Sequence, residues 1–220
     1  MTLNAQLYVH CTAGQCATEA SRLTTCIEEL NTWMASNRLR LNSDKTQFIW
    51  VGSRQQLANI TVTEILPDGH SITMSHNVTC LGVAIDAELT FATHVKRVAS
   101  RCFYQLCQLW SVRPALSVDN ARTLAHAFIA SRVDYCNSIL YQTAAVHFHP
   151  LQLVLNAAAH LVVKKKKWDS ITPTIRDNLH WLLVRQRVDL KICILVYKCL
   201  HQLVAPHLMS MISPVSAVST

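Results

Sequence analysis

Four lysines in a row, Lys164, Lys165, Lys166 and Lys167, stand directly before Trp168 in this 220-residue chain. Dense positive charge beside an aromatic ring suits phosphate contact combined with stacking on a base. A solvated loop between helices, or a short nuclear-import-like tract, has the same composition. Lys45 occupies a different kind of position. It follows the polar turn Asn42-Ser43-Asp44 and precedes the apolar run Gln47 to Val51, so it is held where a turn enters a strand. On the plainest reading it is a solvated turn lysine paired with Asp44.

Metal and thiol chemistry have little to build on. The nine cysteines form no C-x-x-C pair, and His147-Phe-His149 has no cysteine pair to complete a zinc set. Cys102, Cys107, Cys193 and Cys199 fall inside helical patterns, as free thiols of a reducing compartment do. The first ten residues have no basic start followed by an apolar run, so a cytosolic or nuclear chain is expected rather than a secreted one. Ile192 to Val204 is too short to span a bilayer and contains Lys198, and no membrane association is expected.

Charge divides the chain. The formal net charge is +7, with −3 on residues 1–92 and +10 on residues 93–220. A basic C-terminal half points to an anionic partner, nucleic acid being the usual one; a solvated basic surface is the alternative. Half of the residues are hydrophobic and 15% are charged, which excludes a disordered chain.

The elements that would position these residues follow from periodicity. Ala20, Leu23, Ile27, Leu30 and Met34 make the apolar face of a helix ending near Asn37. Residues 6–10 and Gln47 to Val51 read as strands. Ile60 to Leu66 and Ser71 to Met74 read as a hairpin around Pro67-Asp68-Gly69, and Val78 to Ile85 as a strand-like run with Gly82 at a bend. Beyond Thr93 the chain reads as helices: one with Val95, Val98, Cys102, Leu106 and Leu109 inward and Lys96, Arg97 and Arg101 outward, then Asp119 to Ala130, Arg132 to Tyr141, one opened by Pro150, and a last one stopped with the help of Pro206. Tyr104 and Trp110 are expected in the core. The class is α+β.

In this setting Trp33 to Gly52 resembles a segment of the reverse transcriptases of LINE-type, jockey-like non-LTR retrotransposons. The matching residues are Trp33, Met34, Asn37, Leu39, Leu41, Asn42, Asp44, Lys45, Thr46 and Gly52, the palm segment called motif D. Cys80 to Val95 resembles the primer-grip strand-turn-strand and the entry to the thumb. Ser131 to Tyr141 resembles a thumb helix, and Leu153 to Val163 and Ile171 to His201 resemble the segment that follows. The resemblance implies a partial palm over 1–92, thumb-like helices over 93–145, a helical post-thumb region over 146–209 and a tail over 210–220.

It also implies roles. Lys45 matches the lysine beside the pyrophosphate leaving group, a general-acid candidate. Cys80, Leu81, Gly82 and Val83 match the primer grip, where Gly82 lets backbone approach the primer end. Lys96, Arg97 and Arg101 lie on the helix that runs along the template–primer duplex, and RNA or an RNA/DNA duplex is the implied partner. The family's metal carboxylates, an early palm aspartate and an Asp pair in a Tyr/Phe-Ala-Asp-Asp turn, have no counterpart here; the chain enters the pattern at Gln6 or Leu7, and Asp44, Asp68 and Asp86 match none of them. The Mg²⁺ of the parent family is therefore not expected to bind this chain alone, and Lys45 is a vestigial candidate. The chain reads as a truncated, inactive reverse transcriptase; the alternatives are a degenerate interaction fragment, or part of an active polymerase whose frame begins upstream. Unpaired edges of the two N-terminal strands would leave it marginally soluble.

Overall fold

The computed structural model describes residues 5–166 and 168–213, in two units divided between Phe91 and Ala92. It is mixed helix and sheet, with two small antiparallel hairpins among predominantly helical elements. Lys167 and residues 214–220 of the tail lie outside the described residues.

The first unit is organised by α1 (Cys16–Ser36). Its apolar residues Cys16, Ala20 and Ile27 pack in one core with Phe48, Trp50, Ile65 and Ile72. Phe48 and Trp50 meet edge to face at 5.2 Å, and the Trp50 indole N–H donates to the Val62 carbonyl at 3.1 Å. The stop of α1 explains the spacing of the Trp33–Leu39 motif. Arg38 takes the left-handed conformation at φ 59°, so the Leu39 N–H reaches the Met34 carbonyl at 2.8 Å and the Arg38 N–H reaches Ala35 at 3.0 Å. That is a Schellman stop, in which an apolar pair, here Met34 and Leu39, brackets the turn. The Asn37 side chain adds a bond to the Trp33 carbonyl at 2.9 Å.

After the helical turn α2 (Arg54–Leu57), β1 (Glu64–Ile65) pairs with β2 (Ile72–Thr73) across the Pro67–Gly69 turn. The hairpin forms where the sequence places it, with much shorter strands. β3 (Asn77–Cys80) and β4 (Val83–Asp86) pair in register from Asn77↔Asp86 to Cys80↔Val83. Leu81 (φ 47°) and Gly82 (φ 85°) form the two-residue loop, the positive-φ pair that suits the twist of a tight hairpin. Asp86 closes this unit: its carboxylate accepts the Thr90 N–H and hydroxyl, each at 2.8 Å, and the Phe91 N–H at 2.6 Å.

Two strand expectations fail. Residues 6–10 form no strand, and Tyr8 is 93% exposed. Gln47 to Val51 contributes a single isolated bridge, Phe48 to Met74. Both segments lack a continuous neighbour to accept a ladder of backbone bonds, so β propensity alone leaves them irregular.

The second unit is helical. Its centre is α3 (Ala92–Val112) against α6 (Ala145–Val163). Cys102, Leu106, Val154, Leu155, Leu161 and Val162 are almost fully buried there; each large side chain contributes about 1.5–3 kcal/mol through removal from water. Val118 to Asp134 is one continuous helical run, α4 (Val118–Ala125), a π turn (His126–Ala130) and α5 (Ser131–Asp134), ended by Cys136 at φ 52°. The two separate helices expected here are thus joined. Pro150 does not open α6 but lies inside it, five residues after its start. Only one helical bond is lost there, to the exposed Val146, while the downstream face is held by the core. A second π turn (Thr174–Asn178) follows Pro173. α7 (Val184–Leu200) ends before Pro206, at a Schellman stop where Gln202 (φ 57°) sends the Leu203 N–H to Lys198 at 2.8 Å; Pro206 opens α8 (Pro206–Met209).

Candidate nucleic-acid interface

Lys45 ends a 3-10 turn, Ser43–Lys45, whose backbone is organised by Asn42. The Lys45 and Thr46 N–H groups both donate to the Asn42 carbonyl at 3.1 Å, and the Lys45 N–H also reaches the Asn42 side-chain oxygen at 3.2 Å. The Lys45 side chain is exposed and forms no ion pair with Asp44 among the described residues. Among those residues no three His, Cys, Asp or Glu side chains converge as a metal set. Asp68 sits in the hairpin turn and accepts from Asn31. Partial burial opposes ionisation of Asp86, but the bonds from Thr90 and Phe91 outweigh it and hold its carboxyl below the ordinary range. Its oxygens serve the turn.

The hairpin tip carries the primer-grip candidates. Leu81 is 69% exposed, Gly82 is exposed, Val83 is buried and Cys80 is half-buried, accepting from the Gln6 side chain. Backbone at positions 81–82 therefore projects from the sheet, where a nucleic-acid end can meet it.

On α3, Lys96 and Arg101 are exposed and Arg97 is half-buried. Arg97, Arg101 and Tyr104 follow at intervals of four and three residues, which places them along one side of the helix. Tyr104 is 63% exposed; Trp110 (44%) and Phe103 (39%), seven residues apart, share another flank of the helix. This corrects the expectation that Tyr104 and Trp110 are core residues: the core face of α3 is already filled by Val95, Ala99, Cys102, Leu106 and Leu109, and the aromatics fall off it. Arg97, Arg101 and Tyr104 thus put cations and one aromatic face on the same solvent side, the pairing that tracks phosphates and stacks bases.

The lysine run divides. Lys164 caps α6 in the left-handed conformation at φ 54° and is exposed. Lys165 is also exposed, and its ammonium donates to the hydroxyl of buried Thr174 at 2.7 Å. Lys166 is exposed and forms a tight turn with Asp169, whose side chain accepts the Lys166 N–H at 3.0 Å. Lys167 lies outside the described residues. Trp168 is 88% exposed.

Arg113 is the residue that sequence reasoning passed over. It is 2% exposed, yet its guanidinium makes three bonds, to the carbonyls of Leu161 (2.6 Å), Val162 (2.7 Å) and Leu116 (2.7 Å). It caps the C-terminus of α6, where helix carbonyls lack partners and the helix dipole favours a cation. This contact brings the ends of α3 and α6 together. Lys164 and Lys166 therefore lie near the end of α3, about 18 Å along its axis from Arg101 at 1.5 Å per residue. The two basic clusters are separate patches of one unit.

No family model, curated protein or solved structure matches this chain. α6 is long and apolar enough to cross a membrane by length and composition; in this fold it supplies seven buried residues to the helical core.

Proposed function

We propose that this chain is a nucleic-acid-binding portion of a non-LTR-retrotransposon reverse transcriptase, corresponding to distal palm, thumb and following segment, and that it does not polymerise by itself. The observation that carries the reading is the solvent face of α3, where Lys96, Arg97 and Arg101 run beside exposed Tyr104. The positive charge of this half supports it: Arg113 and Arg187 are engaged internally, while Lys96, Arg101, Lys164, Lys165 and Lys166 are exposed on the surface. The projecting Leu81–Gly82 tip agrees with a primer-grip role, and the Schellman stop before Lys45 gives the resemblance in that segment a structural reason. The metal carboxylates that the family uses are not among these residues, so Lys45 has no leaving group to serve.

Fluorescence anisotropy with an RNA/DNA duplex between 50 and 200 mM salt tests this. Replacing Lys96, Arg97 and Arg101 together by Ala is expected to lower the salt slope by about 2–3, near one per lost phosphate contact. Lys165→Ala should lower it by less than one, since that ammonium is already bonded to Thr174. A slope unaffected by the triple substitution would favour an interaction fragment with no nucleic-acid role. In the same preparation, template-dependent primer extension with Mg²⁺ or Mn²⁺ would overturn the inactive reading.

A further inference from the structure

Of the five buried side-chain nitrogen or oxygen atoms with no hydrogen-bond partner among the described residues, three belong to residues around one cleft of the second unit. They are Asp134 Oδ1, Asn137 Oδ1 and Trp181 Nε1. The cleft has a volume of about 300 Å³, at the small end of the range for small-molecule sites. Asn137 is 4% exposed and Trp181 6%, so both lost their water on folding. A buried polar atom left unpaired costs about 1–3 kcal/mol, and three around one cavity is a concentration that packing does not call for. The π turn His126–Ala130 gives the cleft His126, and a second π turn, Thr174–Asn178, ends two residues before His180; such irregularities tend to mark functional sites.

We propose that this cleft binds a nucleotide with an amino-bearing base, with the base inward and the phosphate outward. Each part of the ligand answers a feature of the site. The lining residues carry two unpaired acceptors and one unpaired donor, which an exocyclic amine and a ring acceptor together match. A cationic head is disfavoured, because Arg187 already holds the other Asp134 oxygen at 2.7 Å and would repel a second cation. An anionic head is disfavoured by Asp134 itself. The ligand's donors are therefore neutral N–H groups. The walls are apolar, with Leu190 and Ile194 half exposed, and Trp181 lies edge-on to His126 at 5.3 Å. Such surroundings suit a flat ring. The rim carries Lys191 and His180, both exposed, where a phosphate remains in water next to a positive charge.

The site lies apart from the helix face proposed for duplex contact, and the two can be tested separately. Isothermal titration of the full chain with AMP, GMP, CMP, UMP and ribose 5-phosphate should give saturable binding of the three amino-base nucleotides, at least tenfold weaker binding of UMP and none of the sugar phosphate. Lys191→Glu, at an exposed position, should weaken AMP at least tenfold, leave adenosine within twofold, and leave the salt slope of duplex binding unchanged. Asn137→Leu should abolish binding of both AMP and adenosine, its folding checked by thermal melt; if it unfolds, the Lys191→Glu pair of measurements decides. No saturable binding of any monophosphate, meaning that water alone fills the cleft, would overturn the proposal. So would equal binding of all four bases and ribose 5-phosphate, the mark of an unspecific anion patch.

Discussion

The guanidinium of Arg113 lies 2.6 Å from the carbonyl oxygen of Leu161, a residue 48 positions further along the chain. A charge that is 2% exposed is here held by helix-end carbonyls rather than by a carboxylate. Burying a lone cation is costly unless its donors are all engaged, and the planar fork of arginine can engage several carbonyls at once. The same contact satisfies carbonyls of α6 that the helix cannot satisfy itself.

Removing this contact should destabilise the helical unit strongly. Arg113→Met is expected to cost about 3 kcal/mol, since it leaves at least two buried carbonyls without a charged donor. Arg113→Lys should recover part of that, because an ammonium keeps the charge but not the fork. Urea unfolding followed by circular dichroism reads both; a midpoint unchanged in Arg113→Met would show that water replaces the guanidinium at no cost.

The β3–β4 tip makes an opposite pair of predictions. Leu81 holds φ 47° and Gly82 φ 85°, a loop for which Asn-Gly is the favoured pair. Leu81→Asn should stabilise the first unit by about 1 kcal/mol, the left-handed penalty for an ordinary side chain. Gly82→Val should destabilise it by about 1–3 kcal/mol. If Leu81 is kept for nucleic-acid contact, Leu81→Asn will raise the melting temperature while lowering duplex affinity, and the two readouts separate stability from function.

His94 sets a pH dependence. It is 5% exposed; burial first, and the nearby Arg97 charge second, push its pKa below the ordinary 6.5. Well above 6.5 His94 is neutral in both states and its contribution is flat. As pH falls below 6.5 the unfolded chain takes up the proton first, so stability declines until the folded His94 protonates in its turn. Urea midpoints of the native chain and of His94→Gln between pH 7.5 and about 5 should converge as the pH falls. Parallel curves would mean that His94 protonates equally in both states.

The helices were the most legible part of the sequence, because each buries a face whose 3.6-residue period survives in the residues. α1 and α3 lie close to where their apolar positions place them. Boundaries set by proline were not legible: Pro150 is inside α6 and Pro206 follows a helix already stopped, because packing and left-handed caps at ordinary residues outrank the usual reading of proline. The strands were overread. Gln6 to His10 and Gln47 to Val51 have strand composition but few backbone partners, and pairing is not encoded within a strand. Of the candidate site, Lys96 and Arg101 were legible as cations off an apolar face. Lys165 was not separable from its neighbours, since its bond to Thr174 depends on a turn that composition does not fix. Arg113, Asp134 and Asn137 gave no local signal, because their partners lie far along the chain or, for the orphan oxygens, are not found among the described residues.

The π turn at His126–Ala130 sets the angular phase of everything after it in that helical run. One residue advances an α-helix by about 100°, so the turn acts as a fixed rotation between Ala121, on the core side, and Asp134, which meets Arg187. A one-residue deletion within 126–130 would leave a smoother and more regular helix, and would swing Asp134 by about a quarter-turn from its partner. In this segment a chain one residue shorter would be better formed as a helix and would lose the Asp134–Arg187 pair.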